Sequence, residues 1–500
     1  MLMEVLFKEE PYSIESLVFD DKEVKFRAFE HRVYCADPID PEHQELSIYV
    51  PEEYYEEGST GKYDIRTAPI FMPNTIGGYR PGYFQRPGID HHGKVTASAI
   101  ALYLGYVVVV PTARGIGLKD EFDINIGVVP AALVDLKAAI RYLRYNKDVI
   151  PGDTERIITN GTSAGGAMSA LLGATGNHPD FEPYLKEIGA CDERDDVYAA
   201  SCYCPITDLD HADMAYEWEF SGRNEYHMNK LAVNEEAARE NGVTEEMLES
   251  LNHNGHPDFS KLPEELRTKI VEKVPVTETM TTQQGYLSRD LARMYPAYIN
   301  SLKLRDEREN TLQLNPDGTG TFRAWIARQV IRSMEKAVLD DYDMKEYPWI
   351  DFHNDRPVGF DWEAFVDFRT RMKPTPAFDK TGEPGSPENK VYGSQRIDNR
   401  HFTSFGYQHD KSGWPKVPPE QVKLYNPLYY IADPRATKAK NFRIRAGALD
   451  RDTSLAVSAV LTLVLRNNSI PVDYFIPWDT GHAGDYDTGD LFLWVRNITR

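Results

Sequence analysis

The chain is short of cysteine, of positive charge and of long apolar runs, and each shortage excludes something. Its four cysteines, Cys35, Cys191, Cys202 and Cys204, are too few for a disulfide framework and lack the CxxC spacing of zinc or redox sites. Free thiols are expected; a bridge from Cys191 to Cys202 or Cys204 stays open, because pairing depends on Cα separation and side-chain direction. Lys and Arg number 56 against 78 Asp and Glu, a net charge of -22, so the surface should repel phosphate backbones and anionic headgroups. Neither nucleic acid nor a membrane is an expected partner. The longest apolar stretch, Leu455 to Leu465, is interrupted by Ser458 and Thr462 and falls well short of the ~20 residues of a spanning helix. Residues 1–20 scatter Glu4, Lys8, Glu9, Glu10 and Glu15 among apolar positions, leaving no signal-peptide core. A cytoplasmic chain is expected, or a secreted one already trimmed. HExxH, EF-hand and phosphate-cradling glycine motifs are also missing, so neither metal nor organic cofactor is expected.

What is present suffices for a large core: 500 residues, 41% hydrophobic and 11% aromatic, rule out a disordered or collagen-like chain. Residues 1–207 read as strands alternating with helices. Glu45 to Val50 alternates as a half-exposed strand, and Tyr106 to Val110 is a continuous apolar run suited to a doubly covered parallel sheet. Leu133, Leu136, Ile140 and Leu143 fall at helical spacing, with Pro130 near the start of that helix and Pro151 and Gly152 beyond its end. The strand Arg156 to Asn160 follows at once, which makes a βαβ succession. Residues 208–423 change texture to charged helical stripes without strand alternation and read as an inserted lid. Leu291, Met294, Tyr298 and Leu302 form one stripe, and Phe322, Ile326, Val330 and Met334 another. Pro316-Asp317-Gly318 reads as a turn between lid helices. From Tyr347 to Pro419 the chain is rich in Pro, Gly and aromatics, too long for a passive connection, and should carry contacts or cap a site. The α/β texture resumes over 424–500, with strands at Asn441 to Ala446 and Val472 to Ile476 around a helix at Leu455 to Leu465, then a closing helix with Leu491 to Val495.

The most informative segment runs from Ile157 to Met168 and contains GxSxG at Gly161, Ser163 and Gly165. An apolar strand precedes it and a small-residue helix, Ala164 to Ala174, follows. In that context the serine sits on a sharp strand-to-helix turn, and the glycines keep strand and helix clear of each other. A glycine-rich packing turn is the competing reading. A serine nucleophile needs a base and an acid that orients the base, in chain order Ser, acid, His for this fold. The only histidine after His409 is His482, which follows the second late strand. Asp450, after the strand Asn441 to Ala446, is the preferred acid, and Asp208, after an earlier strand, its rival. The oxyanion needs the N–H of Ala164 and one from an early loop. Asn74-Thr75-Ile76-Gly77-Gly78-Tyr79 fits that second place, with Gly77 the better donor and Gly78 next, Gly78 being also a candidate substrate contact; a simple Gly-Gly turn is the competing reading.

The runs Gly161 to Gly176, Asn74 to Tyr79, Asp450 to Ser454 and Gly481 to Asp485 together resemble the bacterial tannases, serine esterases of the α/β-hydrolase fold that hydrolyse galloyl esters and depsides. The resemblance implies Ser163, Asp450 and His482 as the triad and Gly77 in the oxyanion loop. It further implies that Lys373, Glu388 and Asp452 grip the hydroxyls of the galloyl ring. Fungal tannases and related feruloyl esterases place cysteines beside the serine and histidine, where this chain has Thr162 and Gly481, so the resemblance is to the bacterial group. The expected ligand is a galloyl or other aryl ester, with a feruloyl or aryl carboxylesterase using the same triad as the alternative. A prolyl-type peptidase is disfavoured because the residues before Ser163 read as hydrolase core rather than propeller. A non-catalytic binding module is disfavoured because serine and histidine are both retained.

Overall fold

The computed structural model describes residues 5–500 apart from 57, 61, 91–92, 245, 249–251, 254–255 and 258–261. Its centre is a nine-stranded sheet built from β1 (Ser13–Phe19), β2 (Lys22–Val33), β3 (Glu45–Pro51), β4 (Pro69–Pro73), β5 (Val107–Pro111), β6 (Asp153–Thr162), β7 (Ala199–Tyr203), β8 (Asn441–Arg445) and β9 (Val472–Phe475). The spatial order is β1-β2-β3-β5-β4-β6-β7-β8-β9. The pairs β1/β2, β2/β3 and β3/β5 are antiparallel, and every later pairing is parallel. Parallel neighbours need crossovers, supplied by α1 (Ala97–Tyr103), α2 (Ala131–Tyr145), α3 (Ala164–Ala174) and, between β8 and β9, α7 (Leu455–Asn467). The closing helix is α8 (Thr488–Ile498). This is the α/β-hydrolase fold.

Both sheet faces are covered, which is why Val107 to Val110 and Ile157 to Ile158 are apolar at every position and all buried. The helix α3 sits so close to the sheet that a Cβ at Gly166 would lie 2.4 Å from the Tyr203 carbonyl oxygen, and one at Gly173 would lie 2.6 Å from the Phe442 ring. Close approach of the Tyr203 backbone at Gly166 and of the Phe442 ring at Gly173 leaves room only for glycine.

The chain leaves the sheet at Tyr203 and returns at Asn441 to lie beside the strand it left, with Asn441 opposite Ala199 and Arg445 opposite Tyr203. Between them run α4 (Leu209–Phe220), α5 (Thr282–Ser301) and α6 (Thr321–Leu339). On α6 the expected stripe of Phe322, Ile326, Val330 and Met334 is fully buried. On α5 the buried face is Leu287, Leu291, Tyr295 and Ile299, whereas Met294 is 43% exposed. The expected stripe is therefore rotated, because Tyr295 and Ile299 rather than Met294 continue the face that packs on α4. The expectation of no strands here also fails. Glu225–Val233 pairs antiparallel with Val271–Thr279 across a long connection, and Ile350–His353 forms an antiparallel hairpin with Arg356–Phe360, both outside the main sheet. Their partly exposed faces let polar residues interrupt the apolar alternation.

The helix α4 anchors a later segment of the chain. Glu217 and Glu219 bury their carboxylates against Arg371 and Arg369, and all four side chains are inaccessible to solvent. Arg371 also reaches Thr375 Oγ1 at 2.7 Å. Asp213, one turn earlier, accepts the N–H groups of Phe378 and Asp379 at 2.8 and 2.9 Å. Burial pushes the Asp213 carboxyl up to about 7. One helix thus holds residues 369–379 along its length. Removing one member of a fully buried ion pair strands the other charge, so Arg371→Met should cost about 3–5 kcal/mol. Urea unfolding measures this; a loss under 1 kcal/mol would show that the pair carries no structural weight.

Candidate active site

Ser163 joins β6 to α3 with φ 61° and ψ -121°, a left-handed conformation that costs a side-chain-bearing residue energy unless its surroundings hold it. Three contacts do so. The Ser163 N–H donates to the Tyr203 carbonyl at 3.0 Å. Asn74 donates from its backbone N–H to the Asn160 carbonyl at 2.9 Å, and from Nδ2 to the Gly165 carbonyl at 3.1 Å. Added Cβ atoms at Gly161 and Gly165 would meet Asn74 Nδ2 at 2.5 Å and Asn74 Oδ1 at 2.6 Å. The two glycines of the motif are therefore needed to let Asn74 clamp the turn. The same clamp carries the Gly77 loop to Ser163. The Gly77 N–H has no acceptor among the described residues. Ala164 is the first residue of α3, where helix amides have no intrahelical partner. Gly78 adopts φ 54° beside Gly77.

Asp450 and His482 meet on loops beyond β8 and β9. His482 Nδ1 lies 2.8 Å from Asp450 Oδ2. The loops are joined by backbone bonds from Ala448 N to Pro477 O and from Leu449 N to Thr480 O, both 2.9 Å. Asp208, the rival acid, is engaged elsewhere: it accepts from His211 Nδ1 and Asn426 Nδ2, each at 2.8 Å, and from the Tyr298 hydroxyl at 2.5 Å. Arg369 donates to the Asp450 carbonyl, so the buried pair with Glu219 also fixes the acid loop. Burial disfavours both charges, but the mutual attraction wins, holding Asp450 below its ordinary value and His482 above. The structure thus joins Asp450 to His482 and leaves the Ser163 hydroxyl without a hydrogen-bond partner among the described residues.

The three residues expected at an aromatic ring also converge. Lys373 Nζ lies 3.3 Å from Asp452 Oδ1 and 4.4 Å from the centre of the Phe378 ring. The Tyr216 hydroxyl explains this meeting: it accepts from Lys373 N at 3.0 Å and donates to the Arg451 carbonyl at 3.1 Å. Asp452 N donates to Asp450 Oδ1 at 2.9 Å, which places the ring group and the acid on one turn. Glu388 is buried on the short helix Pro387–Val391, whose start is capped by Ser386 and Asn389. Its carboxyl is raised by burial, against the pull of the Lys373 charge.

Two neighbours went unnoticed in the sequence. Cys204, just past β7 at φ 34°, sits against His482 and donates its thiol to the Ala483 carbonyl at 3.3 Å. Burial raises the thiol, so it stands as a neutral group. Its signal was its place at the carboxyl end of a parallel strand, where sites of open α/β sheets gather. Lys380 lies in the field of Lys373, Asp213 and Glu388, and burial together with the Lys373 charge pulls it down to about 8. Its only sequence signal is a charge within a loop. All four cysteines are free and buried, so the open bridge from Cys191 is not formed.

The whole chain matches known structures. The crystal structure of Fusobacterium nucleatum tannase is 38% identical, superposes with a TM-score of 0.87, and is matched over 99% of this chain and 100% of its own. The chain belongs to the bacterial tannase family. Tannases are carboxylic ester hydrolases of the α/β-hydrolase fold, and so is this chain. A tannin acyl hydrolase solved in complex with ethyl gallate is 35% identical with a TM-score of 0.87, and 99% of each chain is covered. The BD-FAE family model matches residues 123–247, which contain the Ser163 turn. Esterase LipC of Mycobacterium tuberculosis is 43% identical over 58 residues, 12% of this tannase-family chain and only 14% of that esterase.

With His482 as base, activity requires the neutral imidazole, and the Asp450 charge opposes its loss of a proton. The acid limb of kcat/KM should therefore lie above the ordinary histidine value of about 6.5. Asp450→Asn should move that limb to lower pH and reduce kcat about 10⁴-fold. A pH-rate profile with the limb unmoved in Asp450→Asn would dissociate the two residues.

Proposed function

We propose that the chain hydrolyses galloyl esters and depsides, releasing gallic acid through an acyl-enzyme on Ser163. The observation that carries this reading is the contact between Lys373 and Asp452 on the same turn as the Asp450–His482 pair. A ring bound there lies next to the reacting ester. A trihydroxylated ring donates O–H groups to the Asp452 and Glu388 carboxylates and accepts from the Lys373 ammonium. A methoxylated ring loses a donor, and a site built for buried hydrogen bonds rejects a substrate that leaves one unmade. The family relative solved with ethyl gallate supports the same substrate class.

The chemistry follows from the positions. Ser163 Oγ attacks the ester carbonyl carbon while His482 Nε2 takes the hydroxyl proton. Asp450 holds the opposite ring nitrogen and stabilises the imidazolium. The carbonyl oxygen, now negative, faces the N–H groups of Gly77 and Ala164. His482 returns its proton to the alcohol oxygen, the C–O bond breaks and the alcohol departs. Water, deprotonated by His482, then attacks the galloyl-Ser163 ester and frees gallate and the serine.

The test compares methyl gallate with methyl ferulate for wild type, Lys373→Ala and Ser163→Ala. Wild type should prefer gallate by at least 100-fold in kcat/KM, on the order of two unmade hydrogen bonds to charged groups. Lys373→Ala should erase most of that preference, and Ser163→Ala should abolish turnover of both esters. Equal cleavage of the two by wild type would leave an aryl carboxylesterase and remove the galloyl reading.

A further inference from the structure

A cavity of about 490 Å³ opens at Ser163 and Gly77, and none of Lys373, Glu388 or Asp452 lines it. Its size falls within the roughly 300–1,000 Å³ of small-molecule sites. From this separation we propose that the cavity is a subsite for the alcohol portion of the substrate, built for a hydroxyl-rich ring. The inference rests on the galloyl-ester reading above. With the acyl ring held beside Asp452, the alkoxy side of the tetrahedral carbon must point into other space next to Ser163. Gly484 and Asp485, on the loop that carries His482, also line the cavity.

The lining is chemically matched to hydroxyl groups. Asn160 is 2% exposed and donates from Nδ2 to Asp485 Oδ1 at 3.0 Å, while its Oδ1 has no hydrogen-bond partner. Asp485 Oδ2 and the Gln85 side-chain amide have no partner among the described residues either. Lys94 Nζ donates to the Asp485 carbonyl at 2.5 Å and holds this loop in place. The subsite therefore offers several acceptors that a polyol or polyphenol can satisfy and a methyl group cannot.

Tyr83 adds an aromatic face. It lines the cavity with 57% of its surface exposed. Its backbone is fastened in both directions to Thr75 Oγ1, by bonds of 2.7 and 2.8 Å, two residues from Gly77. A large aromatic side chain left exposed on an anchored loop beside the oxyanion position is suited to cover a second ring. The face of a sugar and a second galloyl ring both present that chemistry: vicinal hydroxyls around a flat or puckered ring.

The experiment measures kcat/KM of the full chain on methyl gallate, galloyl-glucose and methyl digallate, for wild type, Tyr83→Ala and Gln85→Ala, with thermal melts as a control for folding. The wild type should prefer at least one of the larger esters over methyl gallate. Each variant should reduce that preference about five- to tenfold, chiefly through KM, as expected for one lost contact. A loss confined to galloyl-glucose assigns the sugar as occupant, and one confined to the digallate assigns the second ring. Folded variants that keep the wild-type preference would overturn the subsite while leaving the esterase intact. A wild type inert toward all three gallate esters would overturn the functional reading and this inference with it.

Discussion

The positions of the functional groups depend on two buried ion pairs, Glu217 with Arg371 and Glu219 with Arg369. The two glutamates are two residues apart on α4, and of the two arginines Arg369 ends the helix Trp362–Arg369 while Arg371 lies two residues further on. Charge pairs in a water-free interior interact strongly but have lost their hydration, so they contribute little net stability while tolerating only one arrangement. That specificity sets the register of residues 369–379 against the helix. Arg371 extends it by donating from Nε to the Lys373 carbonyl at 2.6 Å. Lys373 and Asp452 meet because of this register.

The same pairs reach the loops of Asp450 and His482. Arg369 fastens the Asp450 carbonyl, and Glu219 accepts the N–H of Leu455 at the start of α7, at 3.0 Å. On the other side, Phe365 stacks on Trp478 with ring centres 6.2 Å apart, four residues before His482. Residues between β7 and β8 thus prop both loops that carry Asp450 and His482. A buried aspartate can stay ionised there because His482 and Arg369 oppose the cost of burial. Glu388 has a weaker counterweight in Lys373, so its carboxyl rises instead.

Much of this was legible in the sequence where local backbone chemistry decides. The GxSxG turn was readable because glycine spacing, a preceding apolar strand and a following small-residue helix all answer the same steric demand. The contact of Asp450 with His482 agrees with the chain order Ser, acid, His expected of this fold. The rival Asp208 could not be dismissed from the chain alone, since its exclusion depends on His211, Tyr298 and Asn426 occupying its carboxylate. Met294 was misplaced on the buried stripe of α5 because helical spacing gives a face but not which neighbour it meets. The strand pairs outside the main sheet are not legible because their apolar alternation is diluted by exposed polar positions.

The sequence by itself determined the α/β-hydrolase scaffold and the strained serine turn, since sterics and periodicity act locally. Tertiary structure alone decided that Lys373 sits on Asp452, that Glu388 lies in the field of that lysine, and that Cys204 abuts His482. Those meetings join segments far apart in the chain through buried hydrogen bonds and ion pairs. Their strength comes from exclusion of water, a property that belongs to the assembled interior rather than to any stretch of sequence.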